Sequence, residues 1–423
     1  MEFNKYSNCR RIFYYSKKNL PLRQLEEIAV YIHWPFCLSK CPYCNFLSIK
    51  QNDEELYTRF ESGLQNDLRQ SLSKIGPRIV RSVFFGGGTP SLMHPKAIGE
   101  MLNCIHSLCH MKDDVEITME ANPATFDINR MKNFRDAGIN RISLGVQSFS
   151  DKNLHFLGRI YDGKQAMIGA EIVAEIFENF SFDLIYGYQN AKNLEKDLLR
   201  AIGFECKHIS CYQLTFEEGT PFHLRLLAGD IRHAAEKTII ESFTVIREIL
   251  LNHDIQRYEI SNYAIPGFES RHNLSYWKYD DYLGVGPGAH SRVSLGGRKQ
   301  EMIKIANPFL WEKSVGNDTF TYVKTLSKEE KLAEAIIVGL RLAAGIPLAD
   351  LRRKSSRKTV DAIISRKQLD FLLAQRLITN AIHDVNPTIR LTDDGLMKID
   401  SVAEFLLNNL AKASGTVVFL KKM

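Results

Sequence analysis

Residues 28–46 read Ile-Ala-Val-Tyr-Ile-His-Trp-Pro-Phe-Cys-Leu-Ser-Lys-Cys-Pro-Tyr-Cys-Asn-Phe, an apolar β-rich run that breaks at Pro35 into a loop carrying three thiols. Cys37, Cys41 and Cys44 are spaced C-x3-C-x2-C. A loop of that length, directly after a strand, can wrap three thiolates around one corner of an iron-sulfur cubane and leave one iron for an outside ligand. A zinc site is the structural alternative. It wants four closed ligands, and His33 could supply the fourth. The other thiols, Cys9, Cys104, Cys109, Cys206 and Cys211, fall in the N-terminal tail or on expected helices and strands, where cysteine reads as a small apolar residue.

Working outward from this loop, short apolar runs alternate with helical patterns. Six strands are expected: Ile28–His33, Val80–Phe85, Val115–Glu120, Arg141–Val146, Phe180–Ile185 and His208–Leu214. Leu56, Phe60, Leu64 and Leu68 recur every fourth residue and lay one apolar stripe along a helix between the first two strands. Asp127 can cap another helix whose Met131, Phe134 and Ala137 face inward and which Gly138 ends. Further helices are expected near Lys96–Cys109, Gly163–Phe177, Leu194–Ile202 and Ala234–Leu251. This βαβα rhythm implies parallel strands with crossover helices. Six repeats fall short of a closed eight-fold barrel, so the expectation is an α/β fold: a partial (β/α)6 TIM-like barrel, with ligands at the carboxyl ends of its strands.

Three segments follow: an N-terminal extension over residues 1–27, the barrel and its continuation over 28–295, and a small α+β C-terminal domain over 327–423. In the last, two helices precede a strand at Thr388–Leu391 and a final helix at Asp394–Leu410.

The chain has 423 residues and a formal charge of +6, too small a surplus, and too scattered, to suggest nucleic-acid binding. The run from Arg352 to Lys358 reads as a solvated face. No apolar stretch reaches the ~18 residues of a membrane span, although transient association with a membrane surface stays compatible with the sequence. Residues 1–25 are basic without the apolar centre of a secretory signal. Three clustered thiols need a reducing compartment, and a cytoplasmic location is expected.

Phe84-Phe85-Gly86-Gly87-Gly88-Thr89-Pro90 follows the second strand, and consecutive glycines there are expected to let backbone approach a ligand. A turn is the alternative. Glu120, Gln147 and Asp183 fall at or near the ends of the third, fourth and fifth strands, where polar groups point into a barrel mouth. A carboxylate buried there must be paired or bind something, and internal pairs, Glu120 with Arg141 or Asp183 with Arg159, are the competing reading.

C-x3-C-x2-C with an aromatic residue before the last cysteine resembles the radical S-adenosylmethionine superfamily. The order of elements around it is similar to the branch holding the oxygen-independent coproporphyrinogen oxidases and the HemW-type haem chaperones. The resemblance implies a 4Fe-4S cluster on Cys37, Cys41 and Cys44. It also implies S-adenosylmethionine against Tyr31, Tyr43, Gly87, Gly88, Thr89, Glu120, Gln147, Arg159 and Asp183, and an electron donor for the cluster.

Two features divide that branch. Oxidases of this type carry a further cysteine two positions after the third, and this chain has Phe46 there. Arg271-His272-Asn273-Leu274-Ser275-Tyr276-Trp277 matches the HNxxYW motif that resembles the haem-binding signature of HemW-type proteins. A neutral imidazole can ligate haem iron, and Tyr276 and Trp277 offer flat faces for a macrocycle. His272 is thus the expected haem residue, with His290 in Gly-Ala-His-Ser as the next candidate. The resemblance implies a haem chaperone that passes haem to an acceptor apoprotein. Oxidative decarboxylation of coproporphyrinogen III is the rival expectation. The chain departs from the pattern at Ser270, where several relatives have cysteine, and at Gly187-Tyr188-Gln189, where Gly-Leu-Pro is usual.

Overall fold

The computed structural model describes residues 25–125 and 127–414. Cys9 and nearly all of the expected N-terminal extension lie outside the described residues.

All six expected strands form: β1 (Glu27–Trp34), β2 (Ile79–Gly87), β3 (His110–Ala121), β4 (Arg141–Gln147), β5 (Phe180–Tyr186) and β6 (His208–Gln213). They are parallel neighbours in chain order. Between them run α1 (Glu54–Ile75), α2 (Pro95–Leu108), α3 (Ile128–Asp136), α4 (Gly163–Ile176) and α5 (Ala191–Ile202). The Asp53 carboxylate starts α1 by accepting from the amides of Glu55 and Leu56, and Asp127 caps α3 through the Arg130 amide. These bonds satisfy donors that a helix start would otherwise leave unpaired.

The sheet is wider than the sequence pattern predicts. After α6 (Glu236–Leu251) come β7 (Gln256–Arg257), β8 (Asn262–Ala264) and the short helix α7 (Arg271–Trp277). Then β9 (Tyr282–Val285) pairs in parallel with the free edge of β1, Tyr31 standing opposite Gly284. Antiparallel β10 (His290–Leu295), β11 (Arg298–Lys304) and β12 (Phe320–Thr325) extend that edge, and β8 and β7 extend the other beyond β6. A four-residue strand containing glycine is too short to leave a periodic signal.

Alternation along the strands separates two faces. Val30, Ile32, Val83, Phe85, Ile117, Met119, Leu144, Phe182 and Ile209 are buried in one core with Phe60, Leu64, Leu68, Met101, Ile105, Phe134 and Val173 of the helices. The opposite face carries Tyr31, His33, Ser82, Glu116, Thr118, Glu120, Arg141, Ser143, Asp183 and Ser210, so the inside of the barrel is polar. Asp67 of α1 fastens the added strands: it pairs with Lys304 at 2.5 Å and accepts from the Gly286 amide and Trp311 Nε1, with both ionic side chains fully buried.

A second core gathers Leu332, Ile336, Leu351, Ile363, Leu372, Ile389, Val402 and Leu406 around α8 (Lys328–Gly339) and the elements after it. The expected helix Asp394–Leu410 is divided here into Asp393–Leu396 and Ile399–Ser414. Arg292 joins the two cores, reaching Glu334 of α8 at 2.9 Å and Glu301 of β11 at 2.8 Å. No helix of the described residues is long and apolar enough to cross a membrane.

Candidate functional site at the barrel mouth

The three-cysteine loop closes at its base, where Phe36–Cys37 pairs in parallel with Ile49–Lys50. Lys40 Nζ donates to the carbonyls of Phe46 and Ser48, and the Cys44 amide donates to the Cys41 carbonyl, which holds the loop in a compact turn. Cys37 is buried, while Cys41 and Cys44 are partly open. Burial pushes the thiols of Cys37 and Cys44 up, and hydroxyls of Thr89 and Ser48 bond the Cys37 sulfur against that trend. Arg159 Nη1 donates to Cys41 Sγ at 3.1 Å. Among the described residues no three His, Cys, Asp or Glu side chains are placed to hold one metal ion. His33 is not free to join the thiols as a fourth zinc ligand, since its Nε2 bonds the Leu47 carbonyl at 2.8 Å. A cubane, which offers a separate iron to each thiolate, suits three thiols that share one loop without sharing one ion.

Beside the loop lies the glycine stretch at the end of β2. Its amides are spoken for: Gly87 N donates to Glu120 Oε2 at 3.0 Å, Gly88 N to the Trp34 carbonyl and Thr89 N to the Phe36 carbonyl. A Cβ at Gly87, whose φ is +111°, would stand 2.5 Å from His33 Cε1, and one at Gly88 would stand 2.5 Å from the Phe36 carbonyl oxygen. The glycines were expected to admit a ligand. What forces glycine here is the protein's own backbone and His33, which fit the second strand tightly under the cysteine loop.

Glu120 and Asp183 face each other's charge across the interior, each half-buried. Burial and Asp183 push the Glu120 carboxyl up to about 8, and burial raises Asp183 to about 6 against hydroxyl bonds from Ser210 and Ser143. The internal pairs considered from the sequence do not form. Among the described residues neither carboxylate has an ion pair, Arg159 turns instead to Cys41, Tyr43 and the Gly145 carbonyl, and buried Arg141 has no partner at Nε. Two carboxylates of this kind are a ready site for a cationic ligand.

Gln147 ends β4 at φ +64°, after a register shift against β5. Tyr161, which the sequence reading passed over, holds Arg159 Nε at 2.9 Å and donates to the Gly145 carbonyl at 2.7 Å. Its position two residues after Arg159 was the available signal. His33, considered from the sequence only as a zinc ligand, links Tyr31 (hydroxyl to Nδ1, 3.0 Å) to the Leu47 carbonyl just past the cysteine loop.

Of the expected residues, Thr89, Arg159 and Tyr43 reach the cysteine loop directly. Tyr31 is linked to it through His33, and Glu120 to the glycine stretch through the Gly87 amide. Gly88 packs on the Phe36 backbone, while Gln147 and Asp183 lie at and near the ends of their strands on the same interior. His272 lies one layer below them, its ring 6.3 Å from that of Tyr31. Glu116 captures the start of α7 through the Arg271 and His272 amides and draws the motif into the barrel floor. There His272 is buried, stacked on Phe84 at 4.9 Å, with Nδ1 against Ser82 Oγ at 2.9 Å and Nε2 against the Tyr276 hydroxyl at 2.8 Å. Burial and nearby Arg141 lower it to about 3. The imidazole is neutral, as a haem ligand must be, and in this structure both of its nitrogens are hydrogen-bonded to side-chain hydroxyls. Trp277, the motif's last residue, lies under the Arg341 guanidinium at 4.4 Å.

With this geometry in hand, the chain's likeness to known proteins is informative. A model of the radical SAM superfamily matches residues 31–201, and one of the HemN C-terminal domain matches residues 326–397. The heme chaperone HemW of Escherichia coli is 37% identical over 291 residues, 67% of this chain and 75% of that protein. HemW of Haemophilus influenzae is 32% identical, covering 91% of this chain and 99% of its own length. The mouse mitochondrial protein named radical S-adenosyl methionine domain-containing protein 1 is 34% identical, covering 91% and 88%. Among solved structures, coproporphyrinogen III oxidase (HemN) from Escherichia coli superposes with a TM-score of 0.75 over 90% of each chain, at 18% identity, a likeness of fold.

Proposed function

This chain belongs to the radical SAM superfamily, in the group of the HemW-type haem chaperones, and on that footing we propose that it binds a 4Fe-4S cluster, S-adenosylmethionine and haem and hands haem to an acceptor apoprotein. The observation that carries the cofactor part is the pair Glu120 and Asp183: two carboxylates in the barrel interior that, among the described residues, form no direct ion pair, although Arg141 and Arg159 act on Asp183 at longer range. S-adenosylmethionine carries a sulfonium cation, whose charge these carboxylates can answer. Cys37, Cys41 and Cys44 would hold the cluster, whose chemistry there would be one-electron reduction of bound S-adenosylmethionine.

In this reading each residue has a task. Arg159 donates to the Cys41 sulfur and tempers the charge of the loop. Tyr31 and Tyr43 wall the pocket, Gly87 orients the Glu120 carboxylate through its amide, and Thr89 bonds the Cys37 sulfur. Gln147, in its left-handed turn, closes the side toward Arg159. Phe46, 58% exposed beside Cys44, stands where the oxidases have their additional cysteine, and this supports a chaperone over an oxidase. The partners are haem, a haem-accepting apoprotein and an electron donor. The three thiolates call for a reducing compartment: the cytoplasm expected from the sequence, or a mitochondrion by likeness to the mouse relative, which fractionation separates.

The deciding experiment is anaerobic reconstitution of the cluster followed by parallel haem titration and coproporphyrinogen III turnover. One haem bound per chain with no protoporphyrinogen formed is the expected result. Turnover with reduced cluster and excess S-adenosylmethionine would establish the oxidase instead.

A further inference from the structure

Arg141 is a buried cation to which the cofactor pocket gives no task. It opens β4 and is 2% exposed, and among the described residues its guanidinium makes neither a hydrogen bond nor an ion pair. Asp183 answers its charge only at longer range. Glu116, the carboxylate of the barrel floor, is taken up by the Ser270 hydroxyl and the amides of Arg271 and His272. A guanidinium in that condition is unfavourable unless something else pairs with it. Its Nε is closed in by protein, whereas its two terminal nitrogens, equally unbonded, border open space.

Two further unanswered groups share that space. Strand register sets Tyr31, Phe84, Thr118 and Arg141 in one row across β1 to β4 on the inner face. The Thr118 hydroxyl, buried beside Arg141, has no partner. His208 of β6 stands in the next row, with Ser143 and Ser181, and Arg141 acts on it electrostatically. The Tyr258 hydroxyl meets His208 Nε2 at 2.9 Å, and its oxygen accepts from the Ser270 amide and the Asn273 side chain. With that oxygen filled, Tyr258 donates to Nε2. The imidazole proton therefore sits on Nδ1, a buried atom with no acceptor. Arg141, His208 and Thr118 thus turn three buried donors into one interior, and none of them is answered.

We propose that the barrel floor holds one small monovalent anion, a halide or a carboxylate, between Arg141, Thr118 and His208. Polarity selects the class. Three unanswered donors, one of them charged, call for an acceptor of opposite charge, and a metal ion would find no free lone pair in the set except on the Thr118 oxygen. The site lies beneath Glu120, which follows Thr118 by two positions on the same face of β3. It adjoins the motif of α7, because the His272 ring stacks at 4.9 Å on Phe84, the neighbour of Thr118 in the row. The site needs neither haem nor S-adenosylmethionine to exist.

The test uses full-length protein with its cluster reconstituted and halide as the probe. Crystals grown in bromide should show an anomalous peak in contact with the Arg141 guanidinium. In solution, the chloride-35 resonance should be broadened by wild-type protein and narrowed again by added bromide. Arg141→Gln should abolish that broadening, and Thr118→Val, which keeps shape and burial, should weaken chloride several-fold. Haem and S-adenosylmethionine carry carboxylates of their own. Loss of the bromide peak on adding either would assign the site to that ligand's carboxylate, and retention would assign it to the free ion; both outcomes uphold an anion site. An ordered water with no anomalous signal beside Arg141 would overturn it. So would a chloride line width that is the same in wild type and in whichever of the two variants folds.

Discussion

Arg159 donates from Nη1 to the sulfur of Cys41 at 3.1 Å and to the Tyr43 hydroxyl at 3.3 Å, across 118 and 116 positions of sequence. Tyr161 and the Gly145 carbonyl hold the same guanidinium, so the end of β4 and the cysteine loop are set by one side chain. A charge-assisted donor on a thiolate favours the more negative, reduced state of whatever that thiolate ligates.

Arg159→Met is therefore expected to retain the cluster but to make its reduction potential more negative. A redox titration followed by paramagnetic resonance measures this, and an unmoved potential would mean that the contact does not tune the centre.

Single replacement of Cys37, Cys41 or Cys44 by Ser should abolish the broad iron-sulfur absorption, because a cubane on two thiolates is labile. Ser at Cys104 or Cys109, both buried in the helix-side core, should leave it intact. Equal loss from both groups would put the ligands elsewhere.

Gly87→Val should damage more than ligand binding. The position has φ +111° and a Cβ would meet His33, whose other nitrogen anchors Leu47 just past the cysteine loop. Both S-adenosylmethionine affinity, read by calorimetry, and cluster retention, read by absorption, are expected to fall together. Intact cluster content in this variant would show that His33 yields without disturbing the loop.

Glu120 gives a pH dependence of definite sign. Its carboxyl titrates near 8 in the fold against an ordinary 4.5. Between those values the folded chain holds a proton that the unfolded chain has lost, so stability falls as pH rises through the window. Glu120→Gln should accordingly stabilise the ligand-free protein at pH 8, by up to a few kcal/mol, and leave it little changed at pH 4. Wild-type affinity for the cationic S-adenosylmethionine should increase from pH 6 to 9, because only the ionised carboxylate pairs with it, and Glu120→Gln should flatten that profile. Thermal melts and calorimetry across pH decide both points.

Asp67→Ala strands the Lys304 ammonium in a fully buried site. Breaking such a pair from one side costs about 3–5 kcal/mol, so a large drop in melting temperature is expected. Lys304→Met together with Asp67→Leu should recover much of it, since the cost lies in the unpaired charge.

How much of this could be read from the chain depends on how local the cause is. The six parallel strands, the cysteine spacing and the residues at the strand ends were legible because each rests on short-range pattern: alternation, a cap, or three thiols within one loop. The strand Tyr282–Val285 was not, because four residues acquire β-structure only from the free edge of Glu27–Trp34. The requirement for glycine at 87 was legible as a turn or a cradle, but its cause, the approach of His33 and Phe36, exists only once two strands lie side by side. His272 shows the limit most clearly. The sequence determined that an imidazole stands beside aromatics in a recognisable motif. Only the tertiary structure decided that Glu116 draws that helix into the barrel floor, where Ser82 and Tyr276 bond both nitrogens. Hydrogen-bond partners more than a hundred residues apart are chosen by packing, and no local pattern carries that choice.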